Sequence, residues 1–149
     1  MTREALFGFS VFMVAFTVVL ILTASPLLVR PIVPGANFPL GNLIIWIGLI
    51  SLPLAIYTGI EKLYRPKTRI QKGFRTIILI ILLLNAAWGF VGYYLSGNWA
   101  FNFTNDPQSS IRYWNYIYFI VLSPLVFLLA YGIYSLIRHF RKSVGNEGN

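Results

Sequence analysis

Charged residues are confined to a few short segments, and between them run four stretches without a single Asp, Glu, Lys or Arg: residues 5–29, 31–60, 76–105 and 113–137. Each is longer than the roughly 20 apolar residues that carry a helix across a bilayer. Backbone in lipid must satisfy its own hydrogen bonds, so these stretches are expected to be helical. Trimming their polar and Pro/Gly-rich ends predicts helices at about 7–28, 43–60, 76–95 and 114–137. The expected fold is all-α: one domain over residues 1–149, a polytopic membrane protein of four transmembrane helices in an up-down bundle, with a short polar tail at 143–149. Composition closes the other routes. The chain is 57% hydrophobic and only 11% charged, which excludes an ordinary soluble domain and a disordered one. With no cysteine, there is neither a disulfide framework nor a thiolate metal site. The first apolar run exceeds the roughly 7 to 15 residues of a signal h-region and is expected to be a retained span.

The connections carry turn chemistry and charge. Pro31, Pro34, Gly35, Pro39 and Gly41 punctuate the first one. Sorted by alternate connections, Arg3, the group Lys62, Arg65, Lys67, Arg69, Lys72 and Arg75, and the group Arg138, Arg141 and Lys142 fall on one side; only Arg30 and Arg112 fall on the other. Ten against two places both termini and the 61–75 loop on the cytoplasmic side by the positive-inside rule. The formal charge of +8 is thereby accounted for at helix ends, without nucleic acid as a partner. The six cations from Lys62 to Arg75 are expected to meet anionic lipid headgroups, at about 1 kcal/mol each.

On the third span Asn85, Gly89, Gly92 and Ser96 recur at four, three and four, which gives one nearly flat face. Close backbone approach at small residues holds helices together in lipid, and a buried Asn adds about 0.6–2 kcal/mol by bonding across the contact. Pro26, Pro53 and Pro124 are expected to kink their helices, with Ser25, Ser51 and Ser123 near enough to serve the carbonyls that proline frees. Aromatic residues crowd the outer half: Trp46, Trp88, Tyr93, Tyr94, Trp99, Phe101, Phe103, Tyr113, Trp114, Tyr116 and Tyr118. Most suit an interfacial belt. Trp99, Phe101 and Phe103 alternate along a connection, so an extended segment would turn their rings to one side, toward a partner or the membrane interface.

Reactive groups are scarce. The acids are Glu4, Glu61, Asp106 and Glu147, all outside the spans, and His139 is the one histidine, placed among Arg138, Arg141 and Lys142 just past the last span. Acid–base catalysis, a proton relay and a transition-metal site of three or four ligands are not expected, nor is a cofactor beyond bound lipid. Neither a nucleophile elbow nor a P-loop is present. Asn102-Phe103-Thr104 forms an N-glycosylation sequon. The chain is therefore expected not to be an enzyme on its own. The function that fits is a non-catalytic accessory subunit of a larger integral membrane complex, with other membrane subunits and lipids as partners and no soluble small-molecule substrate. The alternatives are a small oligomeric channel or transporter, lined by Asn85, Ser51, Ser123 and Thr17 or Thr23 with Pro53 and Pro124 as hinges, and an assembly factor that binds anionic lipid through the basic loop.

Overall fold

A computed structural model describes residues 2–33, 37–103 and 106–146, with side chains through 140. Pro34, Gly35, Thr104 of the sequon, and residues 147–149 of the tail, Glu147 included, lie outside the described residues. The chain is 81% helical, without strands among the described residues. Its elements are α1 (Arg3–Leu22), a 3-10 turn (Pro26–Val29), α2 (Leu40–Gly59), the short α3 (Glu61–Tyr64), α4 (Arg69–Ala86), α5 (Trp88–Ser96) and α6 (Pro107–Asn146). Three of them, α1, α2 and α6, are each long and apolar enough to cross a membrane, and the bent pair α4–α5 would make a fourth.

Capping chemistry sets where these helices begin, and all four expected starts move toward the N-terminus. The Thr2 hydroxyl accepts from the Ala5 amide and opens α1. Pro39 stands at the N-cap of α2. Thr68 and Gln71 form a reciprocal capping box that starts α4. The Asp106 carboxylate accepts from the Gln108 and Ser109 amides and from the Ser109 hydroxyl, with Pro107 directly after it as the first helical residue. Those bonds hold the Asp106 carboxyl below its usual range, the Ser109 hydroxyl contributing most.

Two expected helix ends are corrected. The first span stops at Leu22 because Ala24 turns to φ 46°, and the chain then makes the 3-10 turn capped by Ser25. Pro26 thus opens that turn and kinks no helix. The last helix continues to Asn146, so residues 143–146 of the expected polar tail are helical.

The third span is also corrected: it is two helices, α4 and α5, bent by 40° at Ala87. No proline forces that break. Its carbonyls are instead taken by side chains of neighbouring helices: Trp46 Nε1 of α2 donates to the Ala86 carbonyl at 3.0 Å, and the Tyr116 hydroxyl of α6 donates to that of Leu84.

At the centre of the packing is α2. Its residues Gly41, Ile44, Gly48, Ser51, Ala55 and Thr58 recur at three and four and are all buried. On α1 the matching stripe is Arg3, Leu6, Ser10, Met13, Thr17 and Leu20, buried or half-buried with Val14 beside it. A repeat of 3.5 residues on both partners is the coiled-coil seam, here filled with small residues. The contact is intimate. A Cβ on Gly48 would lie 2.5 Å from Thr17 Oγ1, one on Gly41 would run into the Leu28 backbone, and one on Gly59 would meet the Phe7 ring at 2.8 Å. The Thr17 hydroxyl donates to the Ile44 carbonyl at 3.3 Å. At the other end of the seam Arg3 Nε donates to the Thr58 carbonyl at 2.7 Å and Nη2 to that of Gly59 at 3.2 Å, with the guanidinium over the Tyr64 ring. These carbonyls end α2, so the cation also meets the negative pole of the helix.

The remaining core lies in two clusters. Near the basic loop, Ile56, Leu63, Ile78, Ile81, Phe127 and Tyr131 pack together, with Phe74 edge-on to Phe127 and Tyr131. At the opposite end Trp88, Tyr113 and Ile120 form the second, flanked by Trp46, Leu84, Phe101 and Phe103.

Candidate functional site

The helix break and the proline of α6 meet in one polar knot. Pro124 has no amide hydrogen, which leaves the Ile120 carbonyl four residues earlier without its helical donor. Two side chains supply it: Asn85 Nδ2 of α4 at 3.4 Å and the Ser123 hydroxyl at 3.3 Å. Asn85 is 1% exposed and also donates to the Ile81 carbonyl at 2.9 Å. Its Oδ1, and the Trp88 indole nitrogen, are buried without a partner. The knot therefore joins α4 and α6 through bonds to carbonyls that proline and the break at Ala87 have released.

Glycines beside the knot make room for rings. The expected flat face is divided, because Asn85 lies on α4 and Gly89, Gly92 and Ser96 on α5. Gly89 faces the Trp46 ring, where a Cβ would approach to 2.6 Å, and Gly92 faces the Phe101 ring at 2.8 Å. The expectation of close helix backbones here is thus corrected: aromatic rings fill the space the missing side chains leave. Ser96 bonds locally, donating to the Gly92 and Asn98 carbonyls. The intimate backbone approach occurs instead along α1 and α2, whose Gly/Ser/Thr seam the sequence reading passed over.

The loop that follows does not present a row of rings outward. Phe101 adopts φ 53°, which breaks the extended alternation. Its ring packs on Trp88 at 5.0 Å and on Tyr113 at 5.6 Å, while Phe103 stacks on Tyr113 at 4.9 Å. Trp99 goes elsewhere, between Tyr93 at 4.7 Å and Phe38 at 5.3 Å. All three are half-buried, and Asn42 Nδ2 ties the loop down by donating to the Trp99 carbonyl at 2.8 Å. The three rings thus form no single outward row, and two of them, Phe101 and Phe103, flank the Trp88–Tyr113 cluster.

Beside the knot, α4 and α6 leave a gap. Between them opens a groove of about 550 Å³, whose walls include Ile77, Ile80, Leu84, Tyr118, Leu122 and Val126. Apart from Ser123 the lining is apolar, and Ile80, Leu122 and Val126 are more than half exposed. The shape and lining suit apolar matter.

At the basic end, Lys62, Arg65, Lys67, Arg69, Lys72 and Arg75 are all exposed around α3 and the start of α4. Leu63 is fully buried and pins α3 to the core, so this charge stands on a fixed turn. Pro53 and Pro124 are buried inside α2 and α6. Among the described residues no three His, Asp or Glu side chains gather closely enough to hold a metal ion. Compared with family models, with curated proteins and with solved structures, the chain matches none.

Proposed function

We propose that this chain is a non-catalytic structural subunit of a larger integral membrane assembly. With α4 and α5 taken as one bent span, it crosses the bilayer four times in up-down order. The termini and the 61–75 loop then share the cytoplasmic side. The ten-to-two division of Lys and Arg supports this sidedness, as does Arg3, which sits on the end of α2 beside that loop.

The observation that carries the reading is the groove between α4 and α6. A membrane helix packs best where a partner offers a shaped, apolar concavity, and this one lies along a contact already fixed at both ends by aromatic clusters. A helix of another subunit is its proposed occupant. The polar groups that would line a transport path favour the same reading. Asn85, Ser123 and Thr17 already spend their donors on backbone carbonyls of this chain.

A photo-crosslinking residue at Leu122 or Ile80 tests it in native membranes. The expected result is a discrete adduct with another membrane protein, absent when the crosslinker replaces the exposed Phe12 of α1. A chain that purifies alone, and crosslinks at Leu122 only to lipid, overturns the proposal. Flux through liposomes that is abolished by Asn85→Leu would favour the transporter reading instead.

A further inference from the structure

A second cavity, of about 210 Å³, lies at the basic end and is lined by Lys62, Ser135, Arg138 and His139. It belongs to α3 and α6, away from both the knot and the apolar groove. Ser135, Arg138 and His139 stand at i, i+3 and i+4, so they share one face of α6. Lys62 comes from α3, which the fully buried Leu63 holds in place. All four side chains are hydrogen-bond donors, or donors in one protonation state, and two are permanent cations.

Arg138 sets the chemistry of the cavity. It is half-buried, and its Nη1 is shielded from solvent without a hydrogen-bond partner among the described residues. A buried charged donor lacking an acceptor is costly, so the position is stabilised by whatever brings acceptor oxygens to it. The described acids do not supply them. Glu4 lines a different cavity, Asp106 caps α6 at the far end, and Glu61 does not line this one. The site thus gathers donors and cations around one cavity where the apolar stretch of α6 gives way to charge.

We propose that this cavity binds a phosphate group. An arginine fork, a lysine ammonium and a hydroxyl together suit a compact oxyanion with several acceptor atoms better than a planar carboxylate. The phosphate has two available sources, an anionic phospholipid headgroup and a soluble phosphate ester. The inference goes beyond the subunit reading and stands without it. It also differs from diffuse attraction to the basic loop, because two of its cationic or ionisable members, Arg138 and His139, lie outside that loop.

The experiment compares two charge-matched double variants of the full chain, Lys62→Gln/Arg138→Gln in the cavity and Arg69→Gln/Lys72→Gln in the loop. Each is reconstituted in phosphatidylcholine nanodiscs containing phosphatidic acid, and retained lipid is read by native mass spectrometry. A parallel arm uses phosphatidylcholine alone and titrates inorganic phosphate and glycerol phosphate by calorimetry. Circular dichroism and melting establish that both variants fold; should the cavity variant fail to, Arg138→Lys, which keeps charge and loses the fork, takes its place. The expected result is about a tenfold loss of phosphate binding in the cavity variant and little change in the loop variant. Loss confined to the phosphatidic acid arm assigns the site to lipid, and loss in the titration arm assigns it to a soluble ester. Equal loss in both variants, or no binding in either arm, overturns the proposal.

Discussion

The α1–α2 contact and the α4–α6 contact solve the same problem in opposite ways. In the first, small residues at a 3.5-residue repeat let two helices close on each other, leaving a small cavity of about 160 Å³ at the Arg3 end. In the second, rings and a bonded carbonyl hold the helices at intervals, and an open groove of about 550 Å³ runs alongside. Hydrophobicity does not distinguish them, since lipid is as apolar as leucine; close approach and hydrogen bonding do. The sealed pair has its specificity already satisfied, and the spaced pair has surface in reserve.

The largest effect is expected from wedging the sealed pair. Gly48→Leu drives a side chain into Thr17, and overpacking of this kind costs about 1–3 kcal/mol or more. Thermal unfolding in detergent and loss of an engineered α1–α2 disulfide would register it. A variant that melts and crosslinks like the parent would show that the seam is not close-packed.

Next comes the knot. Asn85→Leu removes a donor to the Ile120 carbonyl and is expected to cost about 0.6–2 kcal/mol. Ser123→Ala alone is expected to cost less, because Asn85 still serves that carbonyl. The double variant should lose more than the sum, since the carbonyl then has neither donor. Strict additivity in a double-mutant cycle would mean that the two side chains act separately.

Trp46→Phe keeps a ring against Gly89 and deletes the bond to the Ala86 carbonyl. A loss of about 1 kcal/mol is expected, together with faster amide exchange at Ala87 and Val91, whose bonds to the Leu83 and Ala87 carbonyls flank the break. Unchanged exchange around Ala87 would dissociate the break from its tertiary donors.

The smallest effect concerns pH at the start of α6. Asp106 has its folded carboxyl lowered by the Ser109 hydroxyl and by the Ser109 and Gln108 amides. Its stabilisation is complete above the ordinary carboxylate range and is lost as pH falls through the lowered folded value. The protection of the Gln108 and Ser109 amides, taken against the intrinsic exchange rate at each pH, should therefore fall on acidification in the parent and much less in Asp106→Asn. An equal fall in both would place the pH response elsewhere.

How much of this was written in the residues varies by place. The four apolar runs announce helices because nothing else can bury so many uncharged residues in succession. Their starts were legible too, in Thr2, in Thr68 with Gln71 and in Asp106 with Pro107, but reading ends from charge alone set them too late. The break at Ala87 had no local signal. It depends on Trp46 and Tyr116, distant in sequence, finding the Ala86 and Leu84 carbonyls. The seam was hidden for a different reason: in a helix that is oily all round, the buried stripe is marked by size and not by hydropathy. The spacing of Gly41, Gly48 and Ala55, with Ser51 and Thr58 between, was the available clue. The loop misled because one residue, Phe101, leaves the extended conformation that alternation assumes. Asn85 was singled out from its spacing alone; its acceptor was not, since that follows from Pro124 depriving Ile120 of a donor.

The Arg3 clasp has a consequence for synthesis. Its acceptors, the Thr58 and Gly59 carbonyls, are free to receive it only once α2 has terminated at Ile60. Arg3 is therefore latched by a stretch that leaves the ribosome much later, and Thr17 likewise waits for its Ile44 acceptor, while Ser10 already bonds to Leu6 within α1. The α1–α2 hairpin is thus clasped at the last turn of α2, and completion of that turn is the condition for the clasp.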